Sequence, residues 1–106
     1  YKVCLLSNTN EIHWDYIVTH FFEQQGIKPE ACFDHIFLSY KMEEKKPSPA
    51  IYQKALKTGN MKPEETLFID DLKENCQAAA ALGIQTIHLT PGSSLPAVVS
   101  SFLTTL

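Results

Sequence analysis

Apolar residues along this chain alternate between short continuous runs and longer helically spaced sets. Val3 to Leu6 is a short apolar run of strand composition. After the polar stretch Ser7-Asn8-Thr9-Asn10, residues Ile12, Tyr16, Ile17, Phe21 and Phe22 recur at helical spacing to about Gln25. Gly26 then stops the helix, and Pro29 reads as a confirmed break. Phe33 to Ser39 has strand composition again, and Tyr40 to Lys46 reads as a charged loop. Ser48 as a cap and Pro49 in the first turn predict a helix through Ile51, Tyr52, Ala55 and Leu56 to Gly59. Lys62 to Glu65 is a turn, and Thr66 to Ile69 a third strand. The alanine-rich stretch Leu72 to Leu82 is helical and ends at Gly83. Ile84 to Leu89 is a fourth strand. After the turn at Pro91-Gly92-Ser93, with Ser94 as cap, Leu95, Val98, Val99, Phe102 and Leu103 predict a last amphipathic helix. The order β-α-β-α-β-α-β-α predicts a parallel sheet with helices on both faces.

Length and composition narrow the classes. The chain has 106 residues, enough for one small core, and 44% hydrophobic residues, an ordinary globular share. A net charge of −3 gives no sign of nucleic-acid binding. The apolar stretches are too short to cross a bilayer. No basic-then-apolar leader is seen, and the odd number of cysteines lacks close pairing, so a cytoplasmic setting is expected. Cys4 and Cys76 fall in strand and helix patterns and are expected to be small buried groups. The chain starts with Tyr1 and enters a strand at once, which suggests a fragment or a trimmed segment.

Leu67-Phe68-Ile69-Asp70-Asp71 carries the strongest chemical signal. An apolar strand ending in two acids puts negative charge at the carboxyl edge of an α/β sheet, where such sheets bind ligands. Adjacent like charges repel unless a cation or hydrogen-bond donors offset them. Oxygen-only ligands favour Mg²⁺. Upstream, Ser7 and Asn8 follow a strand and can offer a hydroxyl, an amide and backbone N–H groups to phosphate oxygens. Lys46, stiffened by Pro47 and Pro49, can neutralise phosphate charge. Each feature alone has an ordinary explanation. Ser-Asn is most often a turn, a lysine beside proline is usually solvated, and Asp71 suits a helix N-terminus. The three together, each at a loop of an α/β pattern, are much rarer.

In that combination the chain resembles the C-terminal half of a haloacid dehalogenase superfamily hydrolase. Leu5-Leu6-Ser7-Asn8-Thr9-Asn10 is similar to the family's second motif, whose Ser or Thr binds phosphate. Ser39-Tyr40-Lys41 through Lys46-Pro47-Ser48-Pro49-Ala50-Ile51-Tyr52 looks like the third, whose lysine contacts phosphate and nucleophile. Phe68-Ile69-Asp70-Asp71 with Asn75 and Ala78 to Gly83 resembles the fourth, whose acids hold Mg²⁺. Within the superfamily, the Ser-Asn-Thr-Asn run resembles small sugar-phosphate phosphatases, including glucose-1-phosphatase-like enzymes. The resemblance implies a Rossmann-like fold and one core domain of which residues 1–106 are the C-terminal part, with no second domain. It assigns catalysis to Lys46, phosphate binding to Ser7, Asn8 and Lys46, metal binding to Asp70 and Asp71, and a supporting role to Asn75. The implied substrate is a small phosphorylated metabolite, with neither nucleic acid nor membrane as partner.

The sequence departs from the family pattern in several places. The first motif, Asp-x-Asp after an initial strand, is absent, since the Asp residues are Asp15, Asp34, Asp70 and Asp71. In the family its first acid attacks phosphorus and its second acts as acid and base. The cap between the first and second motifs is absent too. Lys41 stands where an acid is common, Glu43-Glu44 where Gly is common, and Ser48 where Asp is common. The implied missing strand would lie centrally, between the Ser7 strand and the Asp70 strand. An N-terminal segment of the same protein, carrying the nucleophile, is therefore expected to complete sheet and site, and this fragment alone is expected to be inactive. Two rivals remain, a 2-haloacid dehalogenase, which needs no Mg²⁺, and a non-catalytic binding module of the same fold. A receiver domain is rejected, because it places its acid pair early and its lysine late. His13 and His20 lack a third ligand at zinc spacing. The aromatic residues Trp14, Tyr16, Phe21 and Phe22 fit core packing better than a nucleic-acid platform.

Overall fold

The computed structural model describes residues 2–92. The expected last helix, from Ser94 to Leu103, lies outside the described residues. The chain divides into two compact units, the first ending at Asn60 and the second beginning at Met61. Each contains two parallel strands and the helices that connect or follow them.

In the first unit, β1 (Cys4–Ser7) pairs in parallel with β2 (His35–Leu38), and Ser7 stands opposite Leu38. Between them lies the expected helix, which changes pitch along its length. It is α-helical as α1 (Glu11–Ile17), π-helical from Val18 to Phe22 and 3-10 from Glu23 to Gln25. A π turn adds a residue to the helical repeat. Phe22, eight residues beyond Trp14, therefore returns toward the same face, with ring centroids 6.4 Å apart. Gly26 ends the segment at φ 69°, a left-handed conformation that glycine adopts without Cβ strain.

Several expectations need correction here. Pro29 does not only break structure. It opens a one-turn helix, α2 (Pro29–Cys32), as a proline can at a first helical position. Phe33 caps that turn, so the second strand is shorter than the apolar run. The stretch read as a charged loop begins with another single turn, α3 (Ser39–Met42), which ends at Glu43 with φ 58°. The aromatic face of α1 is only partly core. Ile12, Tyr16 and Phe21 are exposed, and Ile12 reaches 84%, while Trp14 and Phe22 are half-buried. The helical period identified the apolar face without showing how much of it is covered.

The helix α4 (Pro49–Thr58) buries Ile51, Tyr52 and Ala55, one stripe of a 3.6-residue period. Ser48 occupies its N-cap position, but the hydroxyl makes no cap bond and reaches Glu44 Oε2 at 3.4 Å instead. Phe37 and Leu38 of β2 and Pro29 of α2 are buried as well.

In the second unit, β3 (Leu67–Asp70) pairs in parallel with β4 (Gln85–His88), with Asp70 opposite His88. The connecting helix α5 (Lys73–Ala80) packs on both strands and buries Asn75, Cys76 and Ala79. Its stripe spacing matches that of α4. Gly83, at φ 89°, turns the chain into β4 where a Cβ would meet Pro63 at 3.6 Å. β1 and β3 run one residue later than the apolar pattern suggests. Ser7 and Asp70 are the last residues of β1 and β3, so both sit on regular backbone.

Candidate functional site

In the first unit the site elements are joined at the carboxyl ends of β1 and β2. Both strands run in parallel and end level, so the chain after Ser7 and the chain after Leu38 leave the sheet side by side. The Asn8 carboxamide then spans to the lysine loop. Its Nδ2 donates to the Lys46 carbonyl at 3.0 Å, and its Oδ1 accepts from the Lys46 N–H at 2.8 Å. One side chain thus closes both polar groups of a single residue's backbone. Two successive bonds fix direction as well as distance, because a carboxamide is planar and its donor and acceptor cannot exchange places.

The other residues of the run are held as well. Thr9 donates its N–H to Ser39 Oγ at 2.8 Å, and Ser39 Oγ donates to the Thr9 carbonyl at 2.9 Å. Asn10 Oδ1 accepts from the His13 N–H at 2.8 Å and so caps α1. Ser7 is half-buried, and its hydroxyl makes no hydrogen bond among the described residues. The run therefore has two committed side chains, those of Asn8 and Asn10, a Thr9 backbone held by Ser39, and one hydroxyl at the strand end.

The lysine loop is braced from α4. Lys54 Nζ donates to the Met42 carbonyl at 3.1 Å and lies 3.7 Å from Glu44 Oε1. Glu44 also accepts from the Ser48 hydroxyl. The Lys46–Pro47 peptide is cis.

In the second unit, Asp70 Oδ1 accepts from the Leu72 N–H at 2.9 Å and from Asn75 Nδ2 at 3.3 Å. The first bond is an Asx-type turn, which starts the reversal from β3 into α5. Asn75 is buried, with 3% of its surface exposed, and its carboxamide faces the metal-candidate acid. The Asp70 carbonyl accepts from the Leu89 N–H at 2.8 Å, tying the acid's backbone to the end of β4. Asp71 is exposed, and its carbonyl lies 2.9 Å from His88 Nε2. Asp71 does not cap α5, because Leu72 holds the N-cap position. The two carboxylates differ in setting, one oriented by two donors and one facing solvent.

Besides the Asn8–Lys46 bridge, two contacts were missed from sequence, Ser39 with Thr9 and His88 with the Asp71 carbonyl. The parallel order carries the signal for both. A polar residue at or just past the end of one strand lies beside the loop that leaves its neighbour, as Ser39 and His88 do.

Cys4, within β1, has its thiol pushed above the usual range by burial, with the Asp34 charge adding to the rise. Cys76 is buried, and its thiol lies 3.7 Å from the Asp70 carbonyl and 3.6 Å from that of Ile87.

Residues 7–89 match the family model of haloacid dehalogenase-like hydrolases. The chain belongs to that family. It is 33% identical over 93 residues to the D-ribitol-5-phosphate phosphatase of Bacteroides thetaiotaomicron, a match spanning 88% of this chain and 45% of that enzyme. The glyceraldehyde 3-phosphate phosphatase of Pyrococcus furiosus is 39% identical over 61 residues, or 57% of this chain and 25% of that one. Among solved structures, a family enzyme from Bacteroides thetaiotaomicron, crystallised with magnesium and inorganic phosphate, superposes with a TM-score of 0.87. It is 39% identical, and the match covers 92% of this chain and 50% of that one. The chain therefore spans about half the length of these two Bacteroides proteins. The expected mixed α/β fold with parallel strands is the one this family shares. No helix among the described residues is long and apolar enough to cross a membrane.

Proposed function

We propose that the protein containing this chain is a Mg²⁺-dependent phosphatase of small phosphorylated metabolites. The observation that carries the reading is the two-way bond between Asn8 and the Lys46 peptide. It ties the serine loop to the lysine loop, and those two loops supply what a phosphate group needs, donors and a positive charge. Two relatives named as phosphatases of small phosphorylated compounds, and a neighbour crystallised with magnesium and phosphate, support it.

The donor set suits the metal. Asp70 and Asp71 offer only hard carboxylate oxygens, and Mg²⁺ commonly takes one or two carboxylates with waters and substrate phosphate. Bound there, Mg²⁺ would neutralise phosphate charge. Asn75 would keep Asp70 in position through the bond to Oδ1. Ser7 and the N–H groups of its loop would donate to phosphate oxygens, with Asn8 beside them, and Lys46 would offset the charge on phosphate and nucleophile.

The nucleophile belongs to an Asp-x-Asp upstream, on an N-terminal segment of the same core domain. Its carboxylate attacks phosphorus, the bond to the ester oxygen breaks, and the second acid protonates that oxygen. The second acid, deprotonated by that step, takes a proton from water as the water attacks the aspartyl-phosphate, which releases inorganic phosphate and restores the nucleophile's carboxylate. The strand bearing the nucleophile completes the sheet, since β1 has β2 as its one strand neighbour among the described residues.

Phosphate release by the full-length protein from a panel of small phosphate esters, with and without Mg²⁺, tests this reading. Mg²⁺-dependent release supports it. Metal-independent halide release from 2-haloacids would replace it with the dehalogenase reading, and no turnover with an intact upstream Asp-x-Asp would overturn it.

A further inference from the structure

The hydrogen bonds around the β1 loop single out Ser39, which opens the third-motif stretch and has so far been given no role. Ser39 follows Leu38, which stands opposite Ser7. Its hydroxyl has one proton, and that proton goes to the Thr9 carbonyl at 2.9 Å. The same oxygen accepts the Thr9 N–H at 2.8 Å. Thr9 has left the β ladder by this point, so Ser39 satisfies both backbone groups that the ladder no longer serves.

The ordinary explanation for a serine at this place would be a cap for its own helix. Ser39 lies inside the first turn of α3, and Leu38 holds the N-cap position without a side-chain bond. The hydroxyl is turned to the neighbouring loop instead. That loop then passes the constraint on. Thr9 is bonded to Ser39, and Asn8, next in the chain, is bonded to Lys46. Ser7 lies one residue further back, at the strand end.

We propose that Ser39 is a positioning residue of the phosphate site, holding Ser7 and Asn8 through the Thr9 backbone and Lys46 through Asn8. It touches no phosphate oxygen. This rests on the phosphatase reading of the same loops.

Ser39→Ala and Ser39→Thr in the full-length protein test it. Alanine removes both bonds, and threonine keeps the hydroxyl that makes them. In Ser39→Ala, amide exchange at Thr9 and at Lys46 is expected to accelerate. The dissociation constant for inorganic phosphate in Mg²⁺, and KM for a phosphate ester, are expected to rise about tenfold, equivalent to ~1.4 kcal/mol. Ser39→Thr is expected to restore both to within about threefold, since the two bonds return. A merely structural serine would lower the thermal midpoint and leave phosphate affinity in the folded protein unchanged. That outcome overturns the proposal, as does Lys46 exchange that stays at the wild-type rate in Ser39→Ala. If the wild-type protein neither binds phosphate nor releases it, the phosphatase reading fails and takes this role with it. Normal wild-type activity together with a normal Ser39→Ala overturns the role of Ser39 alone.

Discussion

Asn8 and Lys46 share a two-way hydrogen bond, side chain to backbone, at 3.0 Å and 2.8 Å. Because the lysine takes part through its peptide, its side chain can be replaced without opening the contact. Lys46→Ala is therefore expected to stay folded, while turnover falls by about 10²–10³-fold from lost charge stabilisation. Unchanged turnover would remove Lys46 from the site.

Asn8→Ala acts on the same lysine from the other side. It deletes both bonds and frees the loop, so kcat/KM is expected to fall about tenfold to a hundredfold. In the double variant with Lys46→Ala the losses should not add, because a misplaced lysine and an absent one cost the same interaction. Additive losses in the cycle would mean that Asn8 acts independently of Lys46.

Asp70 separates metal binding from folding. Its Oδ1 accepts from Leu72 N–H and from Asn75. Asp70→Asn keeps an acceptor oxygen and removes the charge. Both bonds to Oδ1 are expected to persist, while Mg²⁺ binding measured by calorimetry is lost. Asp70→Ala loses the acceptor too, and the loop end of α5 is expected to lose about 1–2 kcal/mol of stability. Retained Mg²⁺ affinity in Asp70→Asn would take this acid out of the metal site.

The three cysteines are expected to react in a set order. Cys32 is exposed, Cys76 is buried, and Cys4 is half-buried with its thiol pushed up by desolvation. A raised pKa leaves less thiolate at a given pH, and the thiolate is the reacting form. Alkylation of the native protein near pH 8, followed by peptide mass spectrometry, should label Cys32 well before Cys4 and Cys76. Cys4 labelled as fast as Cys32 would contradict the partial shielding of its thiol in β1.

Much of this arrangement was legible in the sequence, for identifiable reasons. The strand ending in Asp70 announced itself through an apolar run, and the helix before Gly83 through a left-handed stop, although α5 ends earlier, at Ala80. The parallel pairing within each unit followed from the alternation of elements. Local periodicity says less about short turns, so α2 and α3, each a single turn, went unseen. It also says nothing about which face is covered, which is why Tyr16 and Phe21, expected in the core, are exposed. The side-chain bridges from Asn8 to Lys46 and from Ser39 to Thr9 cross 38 and 30 residues. Contacts of that span follow from strand register, and register is a tertiary property.

The most direct test of the central claim is phosphate release by the full-length protein from small phosphate esters, before and after removal of divalent metal with EDTA. Release that stops with EDTA and returns with Mg²⁺ is the expected result, with Asp70→Asn inactive in both conditions. Release that continues unchanged after metal removal would contradict the assignment of Asp70 and Asp71 to Mg²⁺. No release from any ester, by a protein whose upstream Asp-x-Asp is intact, would contradict the phosphatase itself.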